Sequence, residues 1–119
     1  MEYKAIRLIL KIKIKPGQLE NFKRLAESLS ADTEAGEPHT FSYEWFLNAE
    51  GTECWITELY ADSAAVMLHA ANVIDRFRMI ASANEIVDFV VLGPATDDLR
   101  AGVKQLGARV LDRFTGFCR

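Results

Sequence analysis

The sequence predicts an α+β fold in which an antiparallel sheet carries helices on one of its faces. Near the N-terminus apolar residues alternate with charged ones at period two, and elsewhere they recur at spacings of three and four. The strand-like and helix-like stretches are interleaved along the chain rather than grouped. At 119 residues, half of them hydrophobic, the chain is long enough for one core and too short for two. We therefore predict a single domain over residues 1–119.

The first strand and the first helix have clear sequence boundaries. Period-two alternation predicts a strand over residues 5–15, which Pro16-Gly17 ends. Apolar residues then recur at helical spacing, and the helix is predicted to end near Gly36. Pro38 supports that end, because it favours an extended conformation at Glu37.

A hairpin is predicted next. Residues 40–47 and 54–60 are rich in aromatic and β-branched side chains, and residues 48–52 between them carry turn formers. Alternation places Tyr43 and Trp45 on one face of the first of these strands.

The second helix and the last core strand complete the predicted sheet. Asp62 or Ser63 can cap a helix that we expect to stop at Asn72, followed by a further helical piece over residues 73–80. Residues 85–92 form an apolar run typical of a buried strand. The order is strand, helix, strand, strand, helix, strand, which predicts a ferredoxin-like βαββαβ arrangement.

A C-terminal extension, residues 95–119, follows this core of residues 5–94. Thr96 is predicted to begin a short amphipathic helix that Gly107 ends. Residues 110–117 form a tail that can pair as an edge strand.

Composition excludes some functions. The formal net charge is −3 and the pI is near 5.4, which is atypical of a protein that binds nucleic acid through a basic surface. The one basic cluster, Lys11, Lys13 and Lys15, alternates along the first strand and fits a solvated face. Cys54 and Cys118 lie far apart with no metal-binding spacing, so we expect free thiols and no metal site.

No stretch approaches the roughly 20 apolar residues that span a bilayer. The N-terminus also lacks the apolar run and cleavage site of a signal peptide. We therefore expect a cytoplasmic protein that does not act at a membrane.

The predicted sheet leaves one face without helices. Depending on the register, this face shows Tyr43 or Phe46 on one strand and Trp55 or Ile56 on the next. Beside them lie either the aliphatic residues or the lysines of the first strand. Exposed apolar patches of that size mark interfaces. We therefore predict a homodimer in which two sheets stack into an α/β barrel.

Four short motifs stand in a set order along residues 5–94. They are Ile14-Lys15-Pro16-Gly17, Tyr43-Glu44-Trp45-Phe46, Glu58-Leu59-Tyr60-Ala61-Asp62 followed by His69, and Val91-Leu92-Gly93. Their order and spacing resemble the antibiotic biosynthesis monooxygenase family of dimeric α/β barrels. The resemblance implies a homodimer and a monooxygenase that needs no metal, flavin or haem. Its substrate would be a small aromatic quinol, phenol or anthrone-like compound, which reacts with dioxygen once it is deprotonated.

The segment from Glu58 to His69 holds the candidate catalytic residues. His69 is the expected base, since an imidazole titrates near neutral pH. Glu58 is expected either to orient that imidazole or to act as the base itself. The candidate substrate-binding residues are Tyr43 and Tyr60, as hydrogen-bond donors, and Trp45 and Trp55, as stacking partners.

Two other functions are compatible with the same residues. In a non-catalytic ligand-binding or interaction protein, His69 would link helix to strand through a hydrogen bond to Glu58 or Tyr60. An isomerase or lyase on the same barrel would need the same base but no oxygen.

Overall fold

The computed structural model describes residues 4–119, and its helices and strands confirm the predicted α+β, ferredoxin-like class. The elements are β1 (Ile6–Lys13), α1 (Leu19–Gly36), β2 (Thr40–Leu47), β3 (Glu53–Tyr60), α2 (Ser63–Ala83), β4 (Glu85–Leu92), α3 (Asp97–Gln105) and β5 (Arg109–Leu111). Within the described range the sheet has the order β2-β3-β1-β4-β5. All neighbouring strands are antiparallel except β4 and β5, which are parallel.

The core lies between one face of the sheet and helices α1 and α2. The central strand β1 alternates between buried and partly exposed residues, as its period-two pattern predicts. Its Leu10 pairs with Ile56 of β3 and with Phe89 of β4, and all three side chains are buried. The apolar stripe of α1, which includes Phe22 and Leu29, packs onto this face.

Helix α2 corrects one prediction. The expected stop at Asn72 is wrong, because a single helix runs from Ser63 to Ala83. The Asp62 side chain caps its start by accepting a hydrogen bond of 2.9 Å from the Ala65 N–H. Asn72 stays helical, and its side-chain amide donates to the Glu37 carboxylate instead of ending the helix. A long-range contact therefore outweighs a weak local preference.

The opposite face of the sheet is open. Phe46 is 50% exposed and Trp55 is 39% exposed, and the register places them side by side on β2 and β3. Lys11 of β1 lies 5.4 Å from the Trp55 ring centroid and 3.5 Å from the Glu53 carboxylate. Of the alternatives that the sequence left open, this face carries Phe46, Trp55 and the lysine row.

The C-terminal extension packs against the helical side and the β4 edge. Helix α3 buries Leu99 and Val103 in the core. Only Arg109–Leu111 of the predicted tail strand pairs with the sheet. Gly93 makes the turn after β4 with φ of +130°, and a Cβ there would lie 2.6 Å from the Ala5 carbonyl oxygen, so the close approach requires glycine.

In the part of the chain that the structure describes, no helix combines the length and the apolar character needed to cross a membrane.

Candidate functional site

His69 lies on the face of α2 that is directed at the sheet, and it is buried. Its Nδ1 is 2.9 Å from Oε1 of Glu37, which is also buried. Its Nε2 is 3.7 Å from Oε1 of Glu58, which is longer than a hydrogen bond. Because a carboxylate is a hydrogen-bond acceptor, Nδ1 carries the proton of the neutral ring, and Nε2 keeps its lone pair.

Glu37 lies in the turn between α1 and β2, and its carboxylate accepts hydrogen bonds from several side chains. The Thr40 hydroxyl donates to its Oε1 at 2.8 Å, and the Asn72 amide donates to its Oε2 at 3.1 Å. Its own N–H donates to the Thr33 carbonyl at 3.0 Å, closing the end of α1. The carboxylate is therefore held rigidly against His69, as a buried charge requires.

Sequence reasoning missed this role of Glu37. In the sequence Glu37 is only the residue before Pro38, and the partners that the sequence suggests for His69 are Glu58 and Tyr60. A glutamate after a helix is far more typical of a solvated turn than of a buried site. Its partner His69 is 32 residues away in the chain, so no local pattern joins the two.

Glu58 and Tyr60 form a second buried pair on β3. The Tyr60 hydroxyl donates to Oε1 of Glu58, and both side chains are directed at the helices. Burial raises the pKa of Glu58 to about 7, although the Tyr60 hydrogen bond lowers it, and the nearby Glu37 raises it further. Burial also raises the pKa of Tyr60 above its usual range, with Glu58 adding to the shift. Near neutral pH, Glu58 is therefore able to exist as a carboxylic acid.

The pKa of His69 moves in the opposite direction. Burial lowers it from the ordinary 6.5, and this effect exceeds the opposing influence of Glu37, which raises it through charge and hydrogen bonding. At neutral pH His69 is therefore an uncharged base, while Glu58 beside it is partly protonated. Such divergence within a pair of titratable groups is typical of acid–base sites.

A cavity of about 210 Å³ lies beside these groups, between the sheet, α2 and α3. His69, Glu58 and Tyr43 line its inner end, where apolar side chains of β1, β3 and β4 form the floor. The mouth lies between α2 and α3, beside Met67 and Leu106, which are 40% and 41% exposed. Among the lining residues that the structure describes there is no lysine or arginine. The arrangement suits a neutral and largely apolar ligand.

Aromatic rings form one wall of the cavity. The Tyr43 ring stands edge-on to His69, with centroids 4.8 Å apart, and edge-on to Trp45 at 5.6 Å. The Phe22 ring packs edge-on against Trp45, with ring centroids 5.8 Å apart. Burial raises the pKa of Tyr43 above its usual range, as does the neighbouring Glu58. Tyr43 therefore stays protonated and can donate a hydrogen bond to a ligand.

The structure brings together five of the six residues singled out from the sequence. His69, Glu58, Tyr43 and Trp45 line the cavity, and Tyr60 supports Glu58 from behind. Trp55 lies on the opposite, open face of the sheet. The alternation of β3 separates Trp55 from Glu58, so it cannot stack on a ligand in this cavity.

No group of three or more His, Cys, Asp and Glu side chains within residues 4–119 is arranged to hold a metal ion.

The buried Glu58 carboxyl predicts an unusual pH dependence of stability. Its pKa is higher in the folded state than the ordinary 4.5, so between pH 4.5 and about 7 the folded state keeps a proton that the unfolded state has released. Stability from this group is thus greatest at low pH and is lost as the pH rises through that window. We expect Glu58→Gln to melt at a higher temperature than the unmodified protein at about pH 8, with little difference at about pH 5.

Circular dichroism melting at both pH values measures this difference. Glu27→Gln, at an exposed position of α1, is the matched control and should show no such pH-dependent gain. A Glu58→Gln protein that is less stable at both pH values would contradict the assignment of a costly buried charge.

Known proteins resemble this chain in sequence and in fold. The family model described as antibiotic biosynthesis monooxygenase matches residues 5–78. The structure of MupZ from Pseudomonas fluorescens is similar with a TM-score of 0.85 and 22% identity, over 98% of this chain and 95% of its own. No curated protein matches the chain.

Two further solved structures are similar over most of their own length. Rv0793 from Mycobacterium tuberculosis has a TM-score of 0.67 and 17% identity, over 79% of this chain and 98% of its own. A putative antibiotic biosynthesis monooxygenase from Bacteroides thetaiotaomicron has a TM-score of 0.67 and 19% identity, over 72% of this chain and 85% of its own. At such identities these likenesses show the fold alone.

Proposed function

This chain belongs to the antibiotic biosynthesis monooxygenase family, and from that premise we propose that it is a cofactor-independent monooxygenase of small hydroxylated aromatic compounds. One observation carries the proposal. His69 is held through Nδ1 by the buried carboxylate of Glu37 and lines an apolar cavity, where its Nε2 makes no hydrogen bond with any of residues 4–119. An electron-rich phenol or quinol reduces dioxygen by itself once it is deprotonated, so the protein must supply a base and a dry pocket.

The first step is proton removal. Nε2 of His69 takes the proton of the substrate hydroxyl, and the Glu37 carboxylate stabilises the imidazolium that forms. The substrate anion then transfers one electron to dioxygen, giving a substrate radical and superoxide. These two combine, so that a C–O bond forms at a ring carbon that is ortho or para to the hydroxyl and carries a hydrogen. The imidazolium returns its proton to the outer peroxide oxygen, which gives a hydroperoxide.

The second step breaks the O–O bond. His69 removes the hydrogen on the same ring carbon as a proton, the C–H electrons form a carbonyl, and hydroxide departs. Glu58, whose raised pKa keeps it partly protonated, donates the proton that turns this hydroxide into water. A proton passing from His69 to Glu58, across the 3.7 Å between Nε2 and Oε1, restores both groups. One oxygen atom ends in the quinone product and one in water, and the substrate is the only reductant.

The cavity limits the substrate. Its volume of about 210 Å³ is below the roughly 300–1,000 Å³ of most ligand pockets, which favours one or two rings over a three-ring anthrone. Two buried carboxyl groups, Glu37 and Glu58, and a lining without cations disfavour substrates that carry a carboxylate or phosphate.

Oxygen uptake tests the proposal. A protein freed of metal and flavin is mixed with phenols, hydroquinones, naphthols and anthrone, and uptake is corrected for autoxidation. We expect catalysed uptake with at least one one- or two-ring hydroxyl compound, and one quinone formed per dioxygen. No catalysed uptake across the panel would contradict the proposed activity.

A homodimer is part of the proposal. Residues 1–119 would act as one domain, with the open faces of two sheets stacked into a barrel and Phe46 and Trp55 buried between them. We expect a dimer in analytical ultracentrifugation at micromolar concentration. Phe46→Glu places an unpaired charge in this interface, so we expect it to weaken the dimer by about 100-fold or more.

Met79→Glu is the matched control, since Met79 is 53% exposed on α2, away from the open sheet face. It should leave the dimer intact. A strictly monomeric unmodified protein, or a Phe46→Glu protein that dimerises as strongly, would contradict the barrel.

A second candidate function uses the same site without oxygen. The observation in its favour is that a base, His69, and a carboxyl group with a raised pKa, Glu58, face one cavity. Such a pair suits an isomerase or lyase, which removes a proton at one atom and delivers one at another. Turnover under strict anaerobic conditions would favour this candidate over the oxygenase.

A further inference from the structure

We infer that Gly102 of α3 sets the size of the ligand that the cavity admits, because its missing side chain leaves room for a second ring at the mouth. The inference rests on the proposed function in one respect: it takes the reacting hydroxyl of the ligand to lie at His69. Beyond the proposed function, it assigns substrate specificity to Gly102, which would select for the size of the second ring or substituent.

The cavity has an inner end and an outer end with different chemistry. His69 and Glu58 at the inner end are buried. The outer end opens between α2 and α3, where Met67 and Leu106 are partly exposed. A ring whose hydroxyl meets His69 fills the inner end, so any second ring or substituent must extend toward this mouth.

Helix α3 presents two stripes to the cavity. Leu99 and Val103 form the inner stripe and are buried. Asp98, Gly102 and Leu106, spaced by four residues, form the outer stripe along the mouth. Gly102 is thus a gap between two larger side chains on the exposed side of the cavity.

Glycine at this position has a cost that the helix itself does not explain. In a helix interior glycine is less favourable than alanine, and Gly102 is the sixth of the nine residues of α3. A Cβ built on Gly102 meets no heavy atom within 4 Å, and the residue is not among those with positive φ. Neither crowding nor backbone conformation requires glycine here, and the space beside this position is open to part of a ligand.

The gap belongs to the C-terminal extension rather than to the part matched by the family model. That match ends at residue 78, within α2, so α3 lies beyond it. The base and the acid lie on α2 and β3, while α3 supplies the size-selective wall. Catalysis and size selection are therefore carried by different elements, and a change at Gly102 should alter selection alone.

Calorimetric binding of two probes tests this inference. The probes are phenol, which has one ring, and 1-naphthol, which has two. We expect Gly102→Leu to weaken 1-naphthol binding by about 10-fold or more, because the added side chain occupies the space of the second ring. Phenol affinity should change by less than about threefold, since phenol is confined to the inner end.

Ala101→Leu is the matched control. It places the same side chain one residue earlier, at an exposed position of α3 that does not line the cavity, and it should leave both affinities unchanged. Gly102→Ala is the milder variant, which should raise the melting temperature and weaken 1-naphthol binding less than leucine does. These melting curves also verify that the variants fold.

The outcomes separate this inference from the proposed function. Equal weakening of both probes by Gly102→Leu, no weakening of either, or an unmodified protein that binds neither probe would overturn it. An unmodified protein that binds 1-naphthol with the predicted Gly102 dependence but takes up no oxygen would support it and would remove only the oxygenase. Oxygen uptake with naphthols that Gly102→Leu does not change would support the oxygenase and overturn the inference about Gly102.

Discussion

His69→Ala is expected to lower the rate of catalysed oxygen uptake by about 100-fold or more, because the substrate then has no positioned base to remove its hydroxyl proton. Binding of the substrate should weaken far less, since the apolar walls of the cavity remain. Stopped-flow or oxygen-electrode rates at saturating substrate, together with calorimetric binding, separate the two effects.

The chain offers a matched control, because its sequence contains only one other histidine. His39, next to Pro38, is exposed, and His39→Ala should leave the rate unchanged. If His69→Ala lowers the melting temperature while rate and binding are both retained, the imidazole has a structural role and the catalytic role is wrong. A non-catalytic binding protein would show no catalysed uptake even when unmodified, and its His69→Ala variant would melt at a lower temperature while binding the ligand as before.

Glu37→Gln is expected to produce the second large loss, about 10-fold to 100-fold in the rate of oxygen uptake. The amide keeps the shape of the side chain but removes the charge that stabilises the imidazolium and fixes its tautomer. The amide NH₂ group also faces the donors of Thr40 or Asn72, so one hydrogen bond of the present cluster is lost.

The pH profile distinguishes this effect from a loss of stability. His69 acts in its neutral form, so the rate rises as the pH increases through the His69 pKa. Glu37 raises that pKa, and its neutralisation therefore lowers it. The acidic limb of the profile should move to lower pH in Glu37→Gln while the plateau falls. Glu34→Gln, at an exposed position near the end of α1, should change neither, and an unmoved limb in Glu37→Gln would contradict the proposed coupling.

The fold could be predicted because each strand and helix has a recognisable spacing of apolar residues in its own sequence. The alternation of β1 reflects a strand with one buried face, and the stripe of α1 reflects a helix on that face. The break expected at Asn72 shows where such signals fail. Local preferences at that residue are a few tenths of a kcal/mol, whereas the contact with Glu37 exists only in the folded chain.

The candidate site could be predicted only in part for a related reason. Glu58, Tyr60 and His69 lie within one strand-to-helix unit, so their proximity follows from short-range geometry. The partner of His69 comes from the turn before β2, and the wall with Gly102 comes from the C-terminal extension. Both depend on how distant elements pack, and no spacing in the sequence encodes that packing.

The most direct test of the central claim is oxygen uptake by the metal-free and flavin-free protein with a naphthol and with the methyl ether of the same naphthol. Both compounds have the two-ring size that the cavity of about 210 Å³ favours, but only the naphthol has a hydroxyl proton for Nε2 of His69 to remove. We predict that both bind, that the naphthol is converted to a quinone with one dioxygen consumed, and that the ether is not consumed. A naphthol that binds in the cavity without any catalysed uptake of oxygen, or an ether oxidised as fast as the naphthol, would contradict it.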